Sequence, residues 1–168
     1  MKVTGLFGIV GWKNSGKTTL VERLVSHITK SGYTVSTIKH AHHSFDIDHA
    51  GTDSHRHRIA GATEVLLTSS NRWAIIHELK EEAEPDFDFL VKKLGEVDLI
   101  LVEGFKHGKH KKLEVIRLEN KKSPIFKEDK TIVALATDGI QTDNGLPVFN
   151  MNEVSKIADF ILKQVEIE

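Results

Sequence analysis

The chain has 168 residues, with 23 Lys plus Arg against 24 Asp plus Glu, ten His, three Pro and no Cys. That length suits a single domain, expected to run over residues 1–168, with a core that needs no covalent staple. The lack of cysteine excludes disulfides, a thiol nucleophile and Cys-based zinc or iron–sulfur sites, and the net charge of −1 argues against a nucleic-acid coat.

No apolar run approaches the roughly 18 residues of a membrane helix. The opening MKVTGLFGIVGWKNSGK interrupts its apolar residues with glycines and lysines, unlike a signal peptide. A cytoplasmic protein with neither membrane nor nucleic acid as partner is expected.

Leu6, Phe7, Ile9 and Val10 form a short apolar run ended by Gly11, the pattern of a strand buried on both faces. Leu20, Val21, Leu24, Val25 and Ile28 then recur at helical spacing, with Gly32 as a stop, and residues 33–39 read as a second strand. Strand, loop, helix, strand is the βαβ order of a parallel sheet. Residues 40–62 are polar and carry six histidines, His40, His42, His43, His49, His55 and His57. A segment so long with so little core suggests function.

Residues 64–68 and 74–79 read as strands around the Ser69–Trp73 turn, residues 86–94 as a helix, and residues 98–102 as an apolar strand ending at Glu103-Gly104. Strands are expected at 113–118, 132–136 and 147–149. A final helix from about Glu153 carries Val154, Ile157, Ile161 and Val165 on one face, with Asn152 as its expected cap.

Gly11-Trp12-Lys13-Asn14-Ser15-Gly16-Lys17-Thr18 fits G-x-x-x-x-G-K-[ST] at every fixed position. The glycines allow the backbone to wrap a phosphate with N–H groups pointing inward at a helix start. Lys17 would pair with the outer phosphates and the Thr18 hydroxyl would ligate Mg2+. Leu99 to Val102 delivers Glu103 at a strand's C-terminal end, where a carboxylate holds the magnesium or its water shell.

Five strings together, GWKNSGKTTL, IKHAHHSFDIDHAGTDSHRHRIAGA, SSNRWAIIHEL, DLILVEGFK and LPVFNMNEV, resemble the molybdopterin-guanine dinucleotide biosynthesis protein B family from about Phe7 to Ile161. The resemblance implies an α/β P-loop NTPase fold, a mostly parallel sheet flanked by helices with a lateral strand region. It also implies GTP and Mg2+ as ligands, at most weak GTP hydrolysis, a homodimer, and a helper role for the guanylyltransferase that attaches GMP to molybdopterin. By position, Gly11 to Thr19, including Asn14, Ser15 and Thr19, form the phosphate loop, with Thr18 and Glu103 at the metal. Asn71 and Arg72 face the nucleotide or the partner subunit. Lys39, His40, Asp48, Gly51, Asp53, Ser54, Arg56, Gly61 and Ala62 line the remaining site, a molybdopterin ligand or the dimer groove.

The N-K-x-D guanine signature is absent: Asn120-Lys121-Lys122-Ser123 lacks the Asp that would accept two guanine N–H bonds, so guanine preference rests on the resemblance alone. Ala136-Thr137-Asp138-Gly139 is a candidate substitute. Lys13 lies one position from the activating lysine of dimeric relatives and receives no catalytic role.

The histidine segment admits a transition-metal site or a polar surface where histidines with Arg56 and Arg58 attract a phosphate or a pterin-linked anion. Asp53 and Ser54 suggest a helix cap in preference to a catalytic triad, which would need an oxyanion donor pair. The run from Lys106 to Lys112 reads as a solvated basic loop able to steer anions. Two further classes remain open: a nucleotide-binding adaptor without turnover, and a P-loop small-molecule kinase.

Overall fold

The computed structural model describes residues 5–41, 45–139 and 145–167. The chain through His40 and from Val91 onward forms one compact unit, and Ala41–Leu90 forms a second. Among the described residues no helix is long and apolar enough to cross a membrane.

The first unit is built on a six-stranded sheet ordered β2-β5-β1-β6-β7-β8, from β1 (Gly5–Val10), β2 (Val35–Lys39), β5 (Leu99–Glu103), β6 (Lys112–Ile116), β7 (Ile132–Thr137) and β8 (Val148–Asn150). Every pairing within it is parallel. A parallel sheet is covered on both faces, which explains why β5 reads as an unbroken apolar run and is buried throughout. Alternate residues Phe7, Ile9, Leu99, Leu101, Leu113, Val115, Ala134 and Ala136 face α1 (Lys17–Lys30) and α4 (Val154–Gln164), and Leu20, Leu24, Ile28, Ile157 and Ile161 complete that core. Val10, Ile116, Ile132 and Leu135 form a second cluster, packed by Ile125, Phe126 and Leu146.

Chemistry-bearing side chains also tie the sheet. The Asp98 carboxylate accepts the Thr34 backbone N–H and hydroxyl, each at 2.7 Å, locking the start of β2 to that of β5. Lys112 is fully buried and donates to Asp129 at 2.9 Å and to the Gly108 carbonyl and Thr131 hydroxyl. The basic run is therefore no uniformly solvated loop. Its last lysine is an internal strut of β6, while Lys109 and Lys111 stay exposed.

The second unit contains α2 (Asp53–Ile59) and the antiparallel hairpin of β3 (Glu64–Thr68) and β4 (Trp73–His77), and α3 (Phe87–Lys92) spans the chain's return to the first unit. Leu66 pairs with Ile75 and Thr68 with Trp73, so Leu66, Ile75 and Trp73 share a face, at 62%, 48% and 69% exposure.

Three local expectations need correction. Thr52 caps α2, its hydroxyl accepting the His55 N–H at 3.4 Å, so neither Asp53 nor Ser54 is the cap. Glu153 occupies the cap position of α4 without a side-chain capping bond, its carboxylate accepting instead from the Asn150 N–H at 2.9 Å and from Lys156, while Asn152 accepts from Arg23 at 3.0 Å and ties α1 to the β8–α4 connection. The β6 strand ends at Ile116, and Leu118–Asn120 form a 3-10 turn.

Candidate functional site

The glycine loop leaves β1 at the C-terminal edge of the sheet, between the ends of β5 and β6, where strand order reverses and α/β folds place ligands. A methyl group at Gly11 would meet the Val115 carbonyl oxygen at 2.5 Å, and its φ of +149° adds a conformational requirement for glycine. Asn14 is held at φ 62°, a region asparagine tolerates better than most residues, and Ser15 is buried. Gly16 starts α1 in the left-handed conformation with no side-chain cap, and no acidic residue lies in the first turn containing Lys17, Thr18 and Thr19. The first N–H groups of this helix thus keep their positive end free for an anion.

Lys17 donates its ammonium to the Trp12 carbonyl at 2.7 Å and to Ser15 Oγ at 3.5 Å. Burial pushes this lysine below its ordinary pKa; Glu103 opposes that shift, and the charges of Lys106 and Lys39 add to it.

Sheet register explains how Glu103 reaches the loop. It pairs with Ile9 on one side and Lys39 on the other, so the ends of three strands converge. Its carboxylate accepts the Thr18 hydroxyl at 2.7 Å and lies 3.5 Å from Lys39 Nζ. An alcohol and a carboxylate side by side form a hard-oxygen donor pair of the kind Mg2+ takes when most of its shell is water and phosphate. The residues present therefore fit that ion.

His40, just beyond Lys39, places its ring 4.6 Å from that of Phe105, with its backbone N–H on the Glu103 carbonyl at 3.0 Å.

The loop is also fastened from the β6 side. Trp12 donates its indole N–H to the Ser123 carbonyl at 2.8 Å, Asn120 donates to the Lys13 carbonyl at 3.2 Å, and Lys106 lies over the Trp12 ring at 4.1 Å. Sequence spacing could not locate these contacts, because they join segments about a hundred residues apart. Asn120 thus supports the phosphate loop. Asp138, in the candidate substitute for the guanine signature, follows β7 and accepts the Leu118 N–H at 3.2 Å.

In the second unit Asp48 and Ser54 come together: Asp48 accepts the Ser54 hydroxyl at 2.8 Å and the Thr52 hydroxyl at 2.9 Å. Ser54 is committed to a carboxylate, not to a histidine. Arg58 is mostly buried among Asp46, Asp48 and Glu78, and its hydrogen bond holds the Asp46 carboxyl down to about 2. Arg58 thus leaves the proposed anion-attracting surface. Asp53, His55, Arg56 and His57 instead line a depression of about 700 Å3 that also includes Gly51. Asn71 and Arg72 occupy the exposed β3–β4 turn. Among the described residues there is no group of three His, Asp or Glu arranged to hold a metal, and His42 and His43 lie outside the described residues.

A family profile described as molybdopterin guanine dinucleotide synthesis protein B matches residues 6–138. The molybdopterin-guanine dinucleotide biosynthesis adapter protein of Escherichia coli (strain K12) is 34% identical, covering 96% of this chain and 93% of that protein. The protein of that name from Haemophilus influenzae is 38% identical over 93% of this chain and 86% of its own length. A crystal structure of MobB from Bacillus subtilis aligns with a TM-score of 0.77 at 24% identity, covering 98% of this chain and 99% of the other, which supports the fold. The α/β P-loop architecture, the profile and the near-full-length relatives together place this chain in the molybdopterin guanine dinucleotide synthesis protein B family, with an adapter role in molybdopterin guanine dinucleotide biosynthesis.

Proposed function

We propose that this chain is a Mg2+-dependent GTP-binding adapter that supports the guanylyltransferase of molybdopterin guanine dinucleotide synthesis and hydrolyses GTP weakly at most. The observation that carries the reading is the pairing of Thr18 with Glu103 at 2.7 Å beside an uncapped, glycine-led helix start. Gly11, Asn14, Ser15, Gly16, Lys17, Thr18 and Thr19 wrap the phosphates. Thr18 and Glu103 hold the magnesium, which neutralises phosphate charge when bound. Lys39 balances Glu103 in the absence of that ion. Guanine preference is part of the proposal through the family, with Asp138 as the candidate base acceptor.

The chain acts as a homodimer. The exposed Leu66, Ile75 and Trp73 face of the hairpin supports this, because monomers seldom leave clustered large apolar residues in water. Asn71 and Arg72 sit in the turn of the same hairpin and serve the partner subunit. The depression lined by Asp53 and Arg56 offers cationic and polar groups to a molybdopterin ligand.

Calorimetric titration with GTP, with and without Mg2+, tests the nucleotide site. Tight Mg2+-dependent binding that Lys17→Ala abolishes is the expected result; equal titrations for wild type and Lys17→Ala would refute it. Sedimentation of wild type against Trp73→Glu tests the dimer.

A further inference from the structure

From the placement of Arg117 we infer that it is a phosphate-binding residue, a second fixed cation for the polyphosphate of the nucleotide, on the flank of the glycine loop opposite Glu103. The inference rests on the nucleotide reading above and extends it to a residue outside the loop and its metal pair.

Arg117 directly follows β6, which borders β1 on one side, while β5, carrying Glu103, borders it on the other. Its guanidinium lies over Gly16: a methyl at that glycine would stand 3.4 Å from Nη2 and 3.5 Å from Nε. The guanidinium thus stands at van der Waals distance from the loop's last glycine, at the start of α1.

This is an unfavourable place for a cation unless an anion joins it. The helix start carries partial positive charge, its first turn has no acidic residue, and Lys17 is in that turn. Among the described residues the Arg117 side chain makes no ion pair or hydrogen bond, and its Nε is buried without a partner. A buried donor left unsatisfied costs free energy, and native structures rarely accept that without a ligand or water to fill the position. A planar guanidinium with free N–H groups is the side chain best matched to phosphate oxygens. Glycine loop, uncapped helix, Lys17 and Arg117 then converge on one polyanion.

The test is titration of the full chain, with Mg2+, by GTP and by inorganic tripolyphosphate, which has no base. Arg117→Gln should weaken both by the same factor, about ten- to a hundredfold, as expected for charge-assisted hydrogen bonds. Arg117→Lys should recover part of that loss. On the wild-type chain, tripolyphosphate with Mg2+ should protect Arg117 from phenylglyoxal, read by peptide mass spectrometry, which needs no variant to fold. Unchanged affinities in Arg117→Gln, or modification of Arg117 at the same rate with and without tripolyphosphate, would overturn the assignment while the Lys17→Ala loss leaves the nucleotide reading standing. Weaker GTP but unchanged tripolyphosphate would make Arg117 a base contact and overturn it as well. A wild-type chain that binds neither ligand would remove both readings.

Discussion

Trp12 and Ser123 are joined by an indole N–H donated to a backbone carbonyl at 2.8 Å, a bond that links the phosphate loop to the segment following β6. That segment is anchored from below by Glu114, fully buried in β6, whose carboxylate accepts the Ile125 and Phe126 N–H groups at 2.8 Å each. Phosphate loop, 3-10 segment and β6 thus form one hydrogen-bonded stack.

Glu114→Ala removes both acceptors and leaves two backbone donors unsatisfied. The expected cost is about 1–3 kcal/mol in denaturant unfolding, with faster hydrogen exchange at Ile125 and Phe126 and weaker GTP binding although no ligand contact is lost. Wild-type exchange at those amides would show that the carboxylate does not hold the segment.

Glu103→Gln keeps the shape and removes the charge beside Thr18 and Lys39. GTP affinity in EDTA should stay near wild type, while the gain on adding Mg2+ should shrink by about tenfold or more, the scale of one charge-assisted contact. An undiminished Mg2+ effect would remove Glu103 from the metal site.

His110 is held well below the ordinary histidine pKa, at about 4, by burial first and by the Lys112 charge second, with Asp129 opposing. Its folded form resists protonation that the unfolded chain accepts below about 6.5, so its contribution is intact above that pH and lost as pH falls toward 4. Discounted for its partial exposure, the loss should be about 1–2 kcal/mol. His110→Gln should flatten the pH dependence of unfolding between those limits; an unchanged slope would assign it to other groups.

Leu24 is wholly buried where α1 meets the sheet. Leu24→Ala should destabilise the fold by about 2–5 kcal/mol, measured by denaturant midpoint. A shift below about 1 kcal/mol would mean that α1 repacks over the gap.

The glycine-loop motif and the placement of a carboxylate at the end of β5 were legible because each lies within a few contiguous residues beside an apolar run. Gly11 to Thr18 needs only the β1–α1 turn, and Glu103 needs only the end of β5. Arg117, Glu114 and the Trp12–Ser123 bond were hidden because they acquire meaning through strand order, which places β6 beside β1. Arg58 and Lys112 were misread for a related reason: a basic residue in a polar string looks solvated until its acidic partners, Asp46 and Asp129, are brought to it by folding. The exchange of Ser54 or Asp53 for Thr52 as the α2 cap is smaller, a one-residue ambiguity among adjacent residues that can all cap.

The buried Lys112 makes β6 depend on a segment outside the sheet. Desolvating an ammonium without its counterion costs several kcal/mol, and Asp129 is supplied by the connection between β6 and β7. β6, paired with β1, and the β6–β7 connection are therefore energetically coupled: loosening the connection would leave a charged group stranded inside the strand that borders the phosphate loop and leads into Arg117.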